Sequence, residues 1–170
     1  TVVEARAPAA SASGRNAGFL MRGAADNYTA AANQYGRNTA AQLWRWTEDN
    51  LTDLKALGLE SLPSYAARPS CLLALTDSEA DELTTSADLL TKDGFDAQLL
   101  TPDSPDANDT IFTHAKPRLA LVNPHDAVIN PVELVGLLCS KLQRTQLYTG
   151  CAAAAIHRHD DTTLHLHTTL

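Results

Sequence analysis

The sequence predicts an α/β fold into which a second, α+β lobe is inserted. Strand-like and helix-like segments alternate in the first and last parts of the chain, and the middle part mixes strands with one helix. A length of 170 residues suffices for one domain with a sizeable core or for two small lobes. An apolar content of 44% and a charged content of 19% are typical of a globular protein rather than a disordered one.

The first third of the chain predicts one strand, one loop and a long helical region. "TVVEA" is typical of a short buried strand ending near Glu4, and residues 7–18 are small and polar, which predicts a loop that turns into a short helix. Residues 26–57 have helical periodicity, interrupted near Gly36. Gly58 follows as a C-terminal stop.

The middle of the chain predicts a strand, a helix and a return to strands. "SCLLAL" alternates as a strand does, and Thr76 and Glu79 have capping-box spacing, so we expect a helix to start there and to end at "KDG". "FDAQLL" is extended, residues 101–110 are rich in Pro, Asp and Asn and predict a surface loop, and a strand is expected over 118–122.

The last part of the chain begins with its clearest helix start. Asn130 is the predicted N-cap, Pro131 fits the first helical position, and Glu133 complements the positive helix end. The spacing predicts an inward face, formed by Val132, Val135, Leu138 and Leu142. Two strands, near 152–157 and 163–168, follow as a hairpin.

Charge and cysteine usage exclude several classes of function. The net charge is −7 and the 13 basic residues are scattered, so we expect no nucleic-acid partner. No apolar run approaches the ~18 residues that a membrane-spanning helix needs. Cys71, Cys139 and Cys151 lie far apart without metal-site spacing, which predicts free thiols in a reducing compartment, here the cytoplasm.

Two features near the start of the chain point to nucleotide chemistry. A carboxylate at the end of a parallel strand, as at Glu4, accepts hydrogen bonds from ribose hydroxyls in dinucleotide folds, about 20 residues after a G-x-G-x-x-G turn. Only three residues precede Glu4, so we expect that turn to lie upstream of this sequence. In "SASGRNAG", small residues let the backbone approach a diphosphate or a flat ring. Taken singly, a solvated strand end and a Ser/Gly helix-capping loop are the alternatives.

Taken together, "VVEARAPAASASGRNAGF" resembles the D-amino-acid oxidase/glycine oxidase superfamily of FAD-dependent oxidoreductases. There, a strand ending in Glu-x-Arg is followed by a segment such as G-A-S-G-R-N-G-G, from which this chain departs at Ser11 and Ala17. "YGRNTAAQLWRWTEDNLTDLKALG" and "HDAVINPVELVGLLCSKL" resemble later segments of the same family, in the family's order.

The resemblance implies FAD as the cofactor and assigns residues to it. Glu4 would hold the adenosine ribose, Ser13 and Gly14 would lie near the pyrophosphate, and Arg15 to Gly18 would pass the reactive edge of the flavin. Ala153 takes the place of a valine whose backbone contacts adenine. The implied cofactor-binding set is Glu4, Arg6, Ser13, Gly14, Arg15, Asn16, Ala17, Gly18 and Ala153.

The resemblance also implies an activity and an organisation. The family oxidises a C–N bond of an amino acid or amine by hydride transfer to flavin, and water then hydrolyses the imine. Residues 1–60 and 130–170 would form a partial Rossmann-like FAD lobe around a substrate lobe over 61–129. No catalytic residue is assigned, and Tyr65 and Arg68 are candidates for substrate contacts. Because the glycine-rich turn and a downstream segment are missing, we expect this piece alone to be inactive.

A second hypothesis comes from the histidines near the end of the chain. His157, His159, His165 and His167 alternate with apolar residues, so they would share the outer face of a hairpin if the apolar residues face inward. Pairing 157 with 167 and 159 with 165 could bind Zn²⁺ or Ni²⁺. The alternative to the enzyme is therefore a metal-binding module or a non-catalytic flavoprotein remnant, while a solvated histidine face with no metal is the simpler explanation.

Overall fold

The chain forms five α-helices and ten short strands in the part that the structure describes. The structure is a computed structural model, and it describes residues 1–107, 109–143 and 145–169. In chain order the elements are β1 (Val2–Glu4), β2 (Phe19–Leu20), α1 (Tyr28–Tyr35), α2 (Arg37–Ala56), β3 (Ala66–Ala67), β4 (Ser70–Ala74), α3 (Asp77–Lys92), β5 (Gln98–Leu100), α4 (Asp109–His114), β6 (Leu119–Asn123), β7 (Ala127–Val128), α5 (Pro131–Ser140), β8 (Leu147–Thr149), β9 (Ala152–Arg158) and β10 (Leu164–Thr169). The α/β class predicted from the sequence is confirmed.

The contacts within the chain divide it into two units. The first unit combines residues 1–18, 55–65 and the chain from Ile129 onward, and the second combines 19–54 with 66–128. Each unit is therefore built from segments that are distant in sequence. The assignment of one part of the chain to the cofactor and another to the substrate stays a prediction.

The second unit holds the main apolar core. Its antiparallel sheet has the strand order β4-β6-β5, and α3 packs on this sheet and against α1. Tyr28 and Trp44 meet edge to face, with ring centroids 4.9 Å apart, and both are buried. A small sheet with the order β2-β7-β3 completes this unit.

Local capping signals explain where the helices begin. The Thr76 side chain accepts from Glu79 N, and the Glu79 carboxylate accepts from Thr76 N, which is the predicted capping box. Asn130 is the N-cap of α5, and its side chain accepts from Val132 N. Gly36, at φ 85°, separates α1 from α2 at the predicted break.

The first unit is built on two strand pairs and one helix. β1 pairs with β8 in parallel, and β9 pairs with β10 in an antiparallel hairpin. The 3₁₀ turn Ala12–Gly14 packs against α5. Ser64 donates its hydroxyl to Glu133 at 2.7 Å and accepts from Asn130 N at 2.9 Å, which ties the 55–65 segment to the start of α5.

Four sequence predictions differ from the structure. The predicted inward face of α5 is wrong, because none of its ten residues is buried and Val132 is 53% exposed. The hairpin register is shifted by two, since His157 lies opposite His165 rather than His167. The apolar hairpin residues Ile156 and Leu164 are exposed, so they do not face inward. The predicted loop over 101–110 gives way to α4 at Asp109, and Asn108 lies outside the described residues. In addition, no pattern in the sequence predicted the strand β8.

Candidate functional site

The first candidate site lies at the carboxyl end of the β1–β8 pair. Glu4 ends β1 opposite Thr149, and both strands run in the same direction. Beyond the strand end, Glu4 O accepts from Cys151 N at 2.9 Å and Arg6 O accepts from Gly150 N at 2.8 Å. The carboxyl ends of parallel strands are where α/β sheets bind ligands.

The Glu4 side chain is half-buried, and its carboxylate can accept further hydrogen bonds. Its Oε1 accepts from Arg6 N at 3.0 Å, and no described residue donates to Oε2. A carboxylate can accept about four hydrogen bonds, so acceptor sites remain for a ligand with vicinal hydroxyls. Ala153 lies in β9 two residues beyond Cys151, and it is exposed. The structure therefore brings Glu4, Arg6 and the start of β9 together.

The second group of predicted residues forms a loop organised by Asn16. The Asn16 side chain donates to Ala12 O and Ser13 O, both at 3.1 Å, and its Oδ1 accepts from Gly18 N at 2.9 Å. The Asn16 amide is thus committed to holding the loop rather than free for a ligand. Ser13, Arg15 and Ala17 are exposed on the same loop and can contact one.

The two predicted glycines are explained by packing within this unit. A Cβ on Gly14 would lie 2.0 Å from Ala9 O, and one on Gly18 would lie 1.9 Å from Ile129 O. Gly18 also has a φ of 73° and accepts at its carbonyl from Ile129 N at 2.9 Å. Gly14 is required for the loop to close on Ala9, and Gly18 is required for the end of the loop to approach the Ile129 backbone. No hydrogen bond among the described residues joins this loop to Glu4.

Within the second unit, a groove of about 360 Å³ contains Arg68. Phe19 and Met21 line the groove and are 65% and 45% exposed. The Arg68 guanidinium is exposed and makes no ion pair with a described residue, and Arg68 N donates to Asp126 O. An apolar groove with one unpaired cation suits a small molecule that has an apolar part and an anionic group. Tyr65, the other substrate candidate, belongs to the first unit.

A buried polar network lies beside this groove, and sequence patterns did not reveal it. Arg22 is 8% exposed and its guanidinium donates to Glu48 and Asn123, at 2.9 and 2.8 Å. Asp126 is 2% exposed and accepts from Arg22 N and from the Ser70 hydroxyl. A buried charge is stable only when it is paired and hydrogen-bonded. These bonds therefore hold the residues next to β2, β3 and β7 in fixed positions. The one sequence signal for Asp126 is its place in "HDAVINPVELVGLLCSKL", a segment that resembles the family.

The described residues contain neither a metal-binding cluster of three or more side chains nor a helix that could span a membrane. No three or more His, Cys, Asp or Glu side chains converge in a way that could hold a metal ion within the described ranges. Among the described helices, none combines the length and apolar character needed to cross a bilayer. All three cysteines are free, and burial raises the pKa of the Cys71 thiol, which disfavours a nucleophilic thiolate there.

The chain is similar to known proteins both in sequence and in fold. A model of the family described as FAD dependent oxidoreductase matches residues 1–169. Among solved structures, glycine oxidase from Geobacillus kaustophilus is 18% identical, with a TM-score of 0.63 over 98% of this chain and 44% of that one. L-alpha-glycerophosphate oxidase from Mycoplasma pneumoniae, solved with FAD bound, is 15% identical, with a TM-score of 0.62 over 98% and 42%.

A third structure shares the same fold. L-amino acid deaminase from Proteus vulgaris is 18% identical, with a TM-score of 0.60 over 92% of this chain and 39% of that one. The chain thus spans less than half the length of the structures it resembles. No curated protein matched the sequence. At these identities the likeness establishes the fold, and the suspected kinship to the glycine oxidase superfamily is confirmed by the family match.

Proposed function

Because the chain belongs to the family of FAD dependent oxidoreductases, we propose that it forms part of an enzyme that oxidises the C–N bond of an amino acid or amine. The observation that carries this proposal is the family match over residues 1–169, with Glu4 at the carboxyl end of a parallel strand pair. Two of the three structures described above are named for amino acids, a glycine oxidase and an L-amino acid deaminase. The third is named for glycerophosphate, so the substrate class needs a direct test.

The residues at the β1–β8 end fit the cofactor. Glu4 has a carboxylate oxygen without a donor among the described residues, which suits ribose hydroxyls, and Arg6 adds a positive charge beside it. Ser13, Gly14 and Arg15 to Gly18 would lie along the pyrophosphate and flavin, and the Asn16 bonds keep that loop in one conformation. Ala153 would contribute its backbone to adenine binding. The FAD would supply the hydride acceptor for the oxidation.

The substrate contacts are proposed in the groove of the second unit. The Arg68 guanidinium would bind a carboxylate of the substrate, and Phe19 and Met21 would cover an apolar side chain. Asp126 also lines this groove, and its carboxylate is held in place by the Ser70 hydroxyl and by Arg22 N. Replacing Arg68 with Gln should raise KM more than it lowers kcat, because binding of the ground state is what is lost.

The test of the cofactor site is a Glu4→Gln variant of the protein at its full natural length. A charged acceptor is worth about 1.5–3 kcal/mol, so FAD affinity should fall at least about tenfold. Fluorescence titration with FAD measures this change. Glu60→Gln is the matched control, because Glu60 is an exposed carboxylate of the same unit whose ion-pair partner among the described residues is Lys55. Equal FAD affinity in Glu4→Gln and the unmodified protein would contradict the ribose assignment.

The substrate class is tested by product analysis. The full-length protein is supplied separately with single amino acids, simple amines and glycerol 3-phosphate, and flavin bleaching and released ammonia are measured. One ammonia per flavin reduced, from an amino acid or amine, is the expected result. Bleaching by glycerol 3-phosphate alone, without ammonia, would show that a C–O rather than a C–N bond is oxidised.

We also propose a reducing, cytoplasmic location for the chain. The support is that Cys71, Cys139 and Cys151 are all free thiols. Alkylation of the protein, denatured directly from cells under non-reducing conditions, should therefore label Cys71, Cys139 and Cys151, and mass spectrometry of the three peptides measures this.

A further inference from the structure

Four imidazoles form a continuous row on one face of the β9–β10 hairpin. His157 and His165 lie directly opposite each other in the register. The His159 and His165 rings stack with centroids 4.9 Å apart, and the His157 and His167 rings meet edge to face at 5.2 Å. Each ring therefore has another imidazole within contact distance.

The turn of the hairpin fixes this arrangement. Asp160 Oδ1 accepts from Thr162 N and Thr163 N, both at 2.8 Å, and from the Thr162 hydroxyl. These bonds close the turn, and they hold the pKa of Asp160 below its usual range. His159 N donates to Thr163 O at 3.0 Å, which starts the ladder of the hairpin. The spacing of the histidines is therefore set by backbone bonds.

The surroundings of the row leave it open to solvent. All four histidine side chains are exposed. By strand alternation their face also carries small residues, with Ala155 opposite His167, whereas Arg158 lies on the other face opposite Leu164. A cation that approaches the row thus meets neither bulky groups nor the Arg158 charge.

We propose that this histidine face is a surface binding site for a divalent transition-metal ion such as Zn²⁺, Ni²⁺ or Cu²⁺. Two imidazoles, one from each strand, would hold an ion, with water completing its coordination. The contacting pairs His159–His165 and His157–His167 are the chelating pairs.

The arrangement of the row favours two imidazole ligands per metal ion rather than three. Imidazole nitrogens bind these metals at about 2.0–2.1 Å, so two nitrogens about 3 Å apart can share one ion. The rings of each pair already lie within about 5 Å, and exposed side chains rotate at little cost. A third side chain does not converge with either pair among the described residues. Mg²⁺ and Ca²⁺ prefer oxygen ligands. Because each histidine pair offers imidazole nitrogens, we expect these two ions not to bind there.

The proposal is independent of FAD, and the full chain itself serves for its test. Calorimetric titration with Zn²⁺ should give saturable binding, and titration with Mg²⁺ should give none. The double substitution His157→Gln with His165→Gln removes one imidazole from each pair and should weaken Zn²⁺ binding at least tenfold. The matched control is His114→Gln with His125→Gln, which changes the remaining two histidines and should leave Zn²⁺ binding unchanged.

A second measurement needs no substitution. Paramagnetic Ni²⁺ added to the unmodified chain should broaden the imidazole NMR signals of His157, His159, His165 and His167 before those of His114 and His125. The proposal is overturned if no saturable Zn²⁺ binding occurs, if both double variants weaken binding equally, or if broadening begins at His114 or His125.

Discussion

Two glycines with similar positive φ angles have very different surroundings. Gly23 has a φ of 90°, and a Cβ there would lie 2.5 Å from the Trp44 ring. Gly36 has a φ of 85°, but a Cβ there would meet nothing within 4 Å. The pair therefore separates the cost of the left-handed backbone from the cost of steric overlap.

We predict that Gly23→Ala destabilises the chain more than Gly36→Ala does. Both variants lose about 1–3 kcal/mol for the positive φ. Gly23→Ala also forces the buried Trp44 ring to move, at about 1–3 kcal/mol more. Urea unfolding measures the two free energies. Equal losses would show that the Trp44 contact relaxes freely.

Asp93 is the acidic centre of a small cluster next to the core. Arg37 donates to both carboxylate oxygens, with the shortest contact at 2.8 Å, and Tyr28 donates its hydroxyl at 2.6 Å. The Arg37 hydrogen bond is the main reason why the pKa of Asp93 lies below its usual range. Burial, followed by the bond to Asp93, raises the pKa of Tyr28, so its hydroxyl stays a donor.

This cluster predicts a pH dependence of stability. Because the folded-state pKa of Asp93 is lowered, its contribution is complete above the ordinary carboxyl pKa of about 3.9 and is lost as pH falls through the folded value. We expect Asp93→Asn to cost about 1–3 kcal/mol at pH 7 and progressively less below pH ~4. Urea unfolding of both proteins from pH 7 to pH 3 measures the difference. A pH-independent difference would mean that packing, and not the charge, is lost.

At the scale of elements, the capping box of α3 gives a direct test of local stabilisation. Thr76→Ala removes the acceptor for Glu79 N, and we expect a loss of about 1 kcal/mol in the free energy of unfolding. Thr84→Ala is the control, since Thr84 lies inside the same helix, is exposed and donates its hydroxyl to Ala80 O within that helix. If both substitutions cost the same, the cap contributes nothing beyond helix propensity.

Elements governed by local chemistry were predictable, and elements governed by distant partners were not. Asn130, Pro131 and the Thr76–Glu79 spacing identified two helix starts, because each acts within one helical turn. β8 was missed because three residues acquire strand geometry only by pairing with β1, more than 140 residues away. The hairpin register shifted because the Asp160 turn, and not the side-chain pattern, sets it.

The candidate site shows the same division. Glu4 at a strand end was predictable from the strand itself, and Glu4, Arg6 and the start of β9 are indeed neighbours. The Arg22–Asp126 network was not predictable, since its members lie 104 residues apart in sequence. Gly14 and Gly18 were expected to make room for a ligand, yet the backbone oxygens of Ala9 and Ile129 already account for them.

At the scale of the whole molecule, apolar side chains are buried very unequally. Leu90 is 2% exposed in the core of the second unit, whereas Ile156 in the hairpin of the first unit is 66% exposed. Apolar burial is the main stabilising term in folding, so stability should depend mainly on the second unit.

We predict opposite outcomes for truncation at these two positions. Leu90→Ala should cost about 2–5 kcal/mol, since it leaves a cavity, and Ile156→Ala should stay within about 0.5 kcal/mol in the same chain. Thermal and urea unfolding check both values. A large loss in Ile156→Ala would mean that its exposed face is covered in solution.

The pairing of Val2 with Leu147 has a consequence for biosynthesis. On the ribosome, the strand that ends in Glu4 is made before its neighbour, which is translated some 7–30 s later at about 5–20 residues per second. Every residue of the second unit is made within that interval. The nascent chain can therefore complete the apolar core of the second unit while β1 is still unpaired with β8.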